Sequence, residues 1–246
     1  MTEALIGTRE RLEVAGNELD EDGALAITFD DGSSDGLILT DASDDVRVGG
    51  NLTLTAGAGG DTEGSLAAGT LTVAGAFQAL AARAFVSTGT RVVLNGADRQ
   101  LVAIGPSSRM VDLVVANGHP EGAYLARQLH VTGRLELIGD AVLSNEPNRE
   151  LDVHVHTRLP VTGPGWRVDH TRVVGDLTMD EDASFPNGMS LRVERGGRLR
   201  VAGHRLEVTG ALSAQFDDGV ADGLILTDPA DDVEVEGGFT MDAQPG

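Results

Sequence analysis

Apolar and polar residues alternate in short runs along almost the whole chain, as in Leu12-Glu13-Val14, Val46-Arg47-Val48, Leu71-Thr72-Val73, Leu129-His130-Val131, Val153-His154-Val155, Leu191-Arg192-Val193 and Leu206-Glu207-Val208. A period of two with one apolar face predicts half-buried β-strands, and helical spacing is nearly absent, so the predicted class is all-β. Ala76 to Phe85 is the one stretch with helix propensity, and it sits inside the strand series. The alternation places Val14, Leu37, Leu39, Val48, Val73, Val93, Val131, Val155, Val173, Val201, Leu224, Leu226 and Val235 in the core, with the charged residues between them outside.

A nine-residue motif threads these runs: apolar, any, Val, any, Gly, any, apolar, polar, apolar or Ala. It occurs as VRVGGNLTL (46–54), LTVAGAFQA (71–79), LHVTGRLEL (129–137), TRVVGDLTM (171–179), LEVTGALSA (206–214) and VEVEGGFTM (233–241), its first position weak in the fourth. The glycine falls between two short strands, where a sharp bend or a positive φ is easiest without a Cβ. Successive runs recur roughly every 17 to 22 residues, a solenoid spacing. The predicted architecture is a parallel β-helix with coils of roughly 20 residues, one elongated domain over 1–246. A tandem β-sandwich is the alternative.

The chain also repeats on a longer scale. Arg11 to Ala56 aligns without a gap to Arg198 to Ala243 at an offset of 187 (198 minus 11), with 27 of 46 positions identical. That offset corresponds to about nine coils of the expected length. The two blocks are expected to superpose by translation along one axis with a modest twist. No capping element is evident in Met1 to Glu10 or Thr240 to Gly246, so the chain reads as a cut from a tandem array or a subunit stacking end to end on its own copies.

Composition narrows the partners. A net charge of −21, from 39 acidic against 18 basic residues, argues against nucleic acid and anionic lipid. Every basic residue is Arg, which fits a GC-rich genome or a saline habitat. The aromatic content of 3% beside 33 glycines implies a thin core of aliphatic side chains at closely spaced backbones. With no Cys there is no disulfide framework or thiolate metal site. The N-terminal MTEALIGTRERLEV lacks the basic and apolar regions of a signal peptide, and Gly64 to Ala82 is too weakly apolar to insert in a membrane.

Three constellations are candidates for chemistry. Asp30, Asp31 and Asp35, repeated as Asp217, Asp218 and Asp222, could supply oxygens to Ca²⁺, as could Asp41, Asp44 and Asp45 with their copies Asp228, Asp231 and Asp232. Their spacing matches neither of the two common Ca²⁺ loops, and Asp also caps its own turns through Asx hydrogen bonds. Asp152, His154 and His156 share one face of a strand, where a neighbouring coil can add His130 or His170, a donor set suited to Zn²⁺. His119 and His204 have no evident partner. Trp166, in the longer segment 157–170, can stack on a sugar or simply cover the core. Arg192, Arg195, Arg198, Arg200 and Arg205 form the one basic stretch, read either as a contact for an acidic glycan or as partners of carboxylates on adjacent coils.

The order of strand, short polar turn and Val-x-Gly-x-Leu-x-Leu, seen in VDLVVANGHPEGAYLARQLHVTGRLEL (111–137) and DGLILTDASDDVRVGGNLTL (35–54), resembles the β-solenoid passengers of bacterial surface proteins, the filamentous-haemagglutinin-type adhesins and autotransporter stalks. The resemblance implies an extracellular or cell-surface, non-enzymatic stalk, spacer or filament subunit, with no catalytic residue and no cofactor to carry over. Its partners would be flanking repeats and a surface glycan or host ligand. Those proteins favour Asn, Thr and Ser where this chain has Asp and Arg. The alternative is a β-helical glycan-binding or glycan-cleaving protein, whose cleft would need paired carboxylates that the spacing here does not place.

Overall fold

In the computed structural model, the alternating runs form 28 strands, all paired in parallel, with no helix among the described residues. The structure describes residues 3–30, 36–57, 59–145, 152–160, 165–217 and 223–244. The strands stack as a β-solenoid of about 10 turns with roughly 23 residues per turn. No helix is long and apolar enough to cross a membrane among these residues. Ala76 to Phe85 contributes the strand Phe77–Ala79 and a corner, because Phe77 and Phe85 turn inward and meet edge to face with centroids 5.0 Å apart.

Each coil visits three faces in a fixed order. Face one runs through six strands from Glu18–Glu21 to Leu135–Leu137 and resumes with Asp176–Thr178, Arg198–Arg200 and Gly223–Ile225. Face two runs through eight strands from Glu3–Ile6 to Trp166–Arg167 and resumes with Ala183–Phe185, Arg205–Val208 and Asp232–Val235. Face three starts with Arg11–Glu13 and Gly36–Ile38, passes through single bridges from Leu39 to Leu66 to Ser87, then Val86 to Arg109 and Met110 to Val131, and continues as six strands from Leu129–Val131 to Phe239–Gln244. Parallel register puts like on like, so apolar columns run along the inside. Leu19, Val46, Leu71, Val92, Leu113 and Leu135 form one, and Val131, Val155, Val173, Val193 and Ala214 another.

Four expected core positions differ. Val93 pairs with Thr72 and Val114 on the outward row while Val92 and Leu94 point in; two adjacent valines leave the register open. Leu224 and Val235 are half-buried and Leu226 is exposed, because no described coil lies over them. The coils also exceed 20 residues, because one turn joins three strands and three corners.

The duplicated blocks have the same local structure. Arg11 pairs with Gly36 as Arg198 pairs with Gly223, and Leu25 pairs with Leu52 as Leu212 pairs with Phe239. They do not, however, sit above one another. Arg11–Glu13 lies on face three, and its copy Arg198–Arg200 lies on face one, eight coils and one face further along. Superposing the blocks therefore takes about a third of a turn as well as a translation, which corrects the expectation of a modest twist over nine coils.

The same freedom appears in the glycine motif, which turns all three corners: face one to two at 46–54 and 71–79, three to one at 129–137 and 171–179, and two to three at 206–214 and 233–241. Its glycine never has a positive φ. A Cβ on Gly50, Gly75, Gly133, Gly175, Gly210 or Gly237 would instead come under 3.0 Å from backbone atoms of the coil beneath. The chain crosses there too closely for any side chain, and amides continue the stack: Gly75 N–H donates to Gly50 O at 2.9 Å and Gly237 N–H to Gly210 O at 3.1 Å. Gly75→Ala and Gly210→Ala should each lower stability by about 2–3 kcal/mol, and Gly118→Ala, which meets open space at an unstrained φ, by no more than about 0.5 kcal/mol in thermal or urea unfolding.

Candidate functional site

At the positions the structure describes, the Asp-rich corners carry turn hydrogen bonds. Asp44 is buried, and its carboxylate accepts three backbone N–H groups: Gly16 at 2.6 Å from the neighbouring coil, Thr40 at 2.8 Å and Asp41 at 2.9 Å. Asp231 repeats this with Gly203 at 2.6 Å and Asp228 at 2.9 Å. Donation from Gly203, ahead of those from Asp228 and Thr227, holds the Asp231 carboxyl below its ordinary value. Asp41 and Asp228 cap their own turns through the amides of Ser43 and Ala230, both at 2.9 Å. Of the other carboxylates considered for Ca²⁺, Asp217 lies 2.5 Å from Arg195 Nε and Asp30 lies against the corner at Gly57. Asp31, Asp35, Asp218 and Asp222 lie outside the described residues.

The histidines come together on the outer side of face three. His130 stands opposite His154 in the ladder, ring centroids 4.2 Å apart, and His156 is 5.9 Å from His130. Asp152 pairs along the backbone with His170, and its side chain lies outside what is described. His204 and His119 do have partners: Nδ1 of His204 is 3.5 Å from Asp182, and Nδ1 of His119 accepts the Glu121 amide at 3.1 Å. Among the described residues no group of three or more His, Asp or Glu side chains is arranged to hold a metal ion. Burial, helped by the neighbouring His154 and His156, pushes the His130 imidazole down to about 4. Burial and the charge of Arg109 lower His156.

Trp166 is fully buried and pairs with Leu143 at the edge of face two, so its ring covers the core and offers no face to a sugar. The basic stretch divides. Arg198 and Arg200 both pair with Asp176, Arg205 pairs with Glu234, and Arg192 lies on face three 3.3 Å from Glu194. No family model, curated protein or solved structure matches the chain.

The alternation of the sequence misses a polar network inside the solenoid. Gln100 is buried and donates to Val73 O at 2.8 Å and Gly75 O at 2.7 Å, while its Oε1 accepts from Asn117 Nδ2 at 3.1 Å. These bonds tie three successive coils at a corner, adding a second donor to Val73 O, which also accepts the Asn95 amide at 3.1 Å, and supplying one to Gly75 O. Gln and Asn a coil apart beside Gly96 and Gly118 are the only signal of it in the chain.

Two outcomes follow. Asp44→Ala should cost about 2–3 kcal/mol by orphaning three amides, and Asp231→Ala less, since that corner lies nearer to solvent; thermal unfolding reads both. The histidines set a pH window. His130 stays neutral in the folded chain down to about 4, whereas an unfolded His takes its proton near 6.5. The stability it contributes is present above 6.5 and lost as pH falls towards 4. After discounting for partial exposure, that is about 1 kcal/mol, or about 2–4 °C in Tm, and His130→Gln should flatten the decline between pH 7 and 4.5 by this amount.

Proposed function

We propose that this chain is a non-enzymatic structural and adhesive β-solenoid segment of a cell surface or the extracellular space: a stalk, spacer or filament subunit that continues end to end through its own copies or through flanking repeats. One observation carries the reading. Leu39, Leu52 and Leu54 of the first block are 0%, 0% and 2% exposed beneath the next coil, while their counterparts Leu226, Phe239 and Met241 are 52%, 53% and 53% exposed. The same surface that is covered by a coil near one end of the chain thus stands open near the other. The flanking strands are edges of their sheets, with rows of N–H and C=O groups directed along the axis. Another parallel coil answers both the apolar and the polar demand. Such a role draws on stiffness and repeated length, and needs neither a cofactor nor a catalytic group.

Charge modulates the contact. The coil at one end carries Glu13, Glu18 and Asp20, and the coil at the other carries Asp232, Glu234 and Asp242. Stacking of copies is therefore expected to be weak at low ionic strength and to strengthen as salt screens the repulsion. Light scattering and electron microscopy should show rods that lengthen with concentration and salt. Phe239→Asp with Met241→Asp should return monomers. A monodisperse monomer at every concentration and salt would overturn the proposal.

A further inference from the structure

The duplication supplies an internal control for the two ends of the stack, the head that carries Glu3–Ile6 and the tail that carries Phe239–Gln244. Position 21 of the first block corresponds to position 208 of the second (21 plus 187), and the residues there are Glu21 and Val208. Val208 is fully buried between Phe185 on the coil below and Val235 on the coil above. Glu21 stands on the same inward row: it shares the strand Glu18–Glu21 with Leu19, whose side chain packs on the core, and it heads the column Val48, Val73, Leu94, Val115 and Leu137. No described strand lies beneath it. Glu21 is half-buried, and its Oε1 accepts the Gly23 amide at 2.9 Å. At the head of an apolar column, an acid thus replaces the valine that the same position carries inside the stack.

We infer that Glu21 is a gate on the head of the solenoid, holding head-to-tail stacking of copies weak by placing a carboxylate where a coil beneath must cover it. The tail offers nothing to neutralise that charge. Its inward residues are Leu224, Val233, Val235, Phe239 and Met241, so whichever faces are aligned, an apolar side chain comes under the carboxylate. Covering an ionised carboxylate without a cation costs more than one apolar contact returns. An inward-pointing charge on an edge strand is one of the devices by which sheets avoid adding strands. The outward acids Glu18 and Asp20 act differently, since they keep their solvent in a stack and their repulsion falls with salt. The gate rests on the end-to-end stacking proposed above: the open tail drives the contact, and Glu21 limits it.

Sedimentation equilibrium and light scattering on the whole chain, at low salt and at about 1 M salt, test the gate. Glu21→Val, which installs the residue of the second block, should raise the association constant about tenfold or more at both salt concentrations, because a covered charge is poorly screened. Adding Phe239→Asp and Met241→Asp should abolish that gain, since the tail is the surface that meets the head. Glu21→Gln keeps an oxygen for the Gly23 amide but loses the charge; it should raise the constant about threefold or more, and it serves if the valine variant fails to fold. Asp20→Asn, on the outward row of the same strand, should change it by less than about twofold at high salt. Rods of the unaltered chain that neither Glu21 variant strengthens, a gain no larger than that of Asp20→Asn, or a gain that survives the tail substitutions would each overturn the gate alone. Rods that appear only in the Glu21 variants would support the gate and overturn unaided stacking. Monomers throughout would overturn both.

Discussion

The structure depends on one spacing. Parallel strands sit about 4.8 Å apart, and a solenoid must hold that distance at its corners as well as along its faces. On a face, side chains project in or out and the backbones meet freely. At a corner the chain turns, and a side chain directed along the axis would strike the coil below. The motif glycine answers this, with its place for a Cβ already occupied by the preceding corner. Where side chains remain at corners they serve the stack: Gln100 and Asn117 bridge coils from inside, and Asp44 reaches across to the Gly16 amide from the rim.

A corner that works the same way on each edge makes the unit one strand plus one corner, a third of a coil. That is why a duplicated block of 46 residues keeps its internal pairing while sitting one face round from its copy. Tertiary position imposes no face identity on the sequence, since each face asks only for inward apolar residues in column. The positive-φ pairs at Ala15 and Gly16 and at Ala202 and Gly203 show how completely the local geometry travels with the block.

The class, the stacking and the inward residues of most strands were legible because a period of two allows a single reading wherever apolar and polar residues strictly alternate. Val93 was not, since Val92 and Val93 fit either register until Thr72 fixes the row. The corner glycines stand out by their spacing, but the reason for them does not: bend and close approach leave the same mark in a sequence, and only the coil beneath tells them apart. The convergence of His130, His154 and His156 is half visible, because alternation places side chains on a face but coil length decides which neighbour they meet. Trp166 carries no signal of direction, since the strand Trp166–Arg167 is too short to show a period.

Once the inside is committed to apolar columns, the outward rows of a solenoid are nearly free of folding duties. Their composition then records either electrostatic comfort or use. On face one the outward charges follow comfort: Asp176 sits between Arg198 and Arg200, and Arg47 beside Glu18 and Asp45. The ladder from His130 to Arg192 sets imidazole on imidazole and guanidinium on guanidinium, with Glu194 reaching both arginines. Carboxylates are abundant and any outward position could have taken one. Where guanidiniums do stack, as at Arg172 and Arg192, a carboxylate two residues beyond Arg192 stands beside both, so the row answers its charge within the same face.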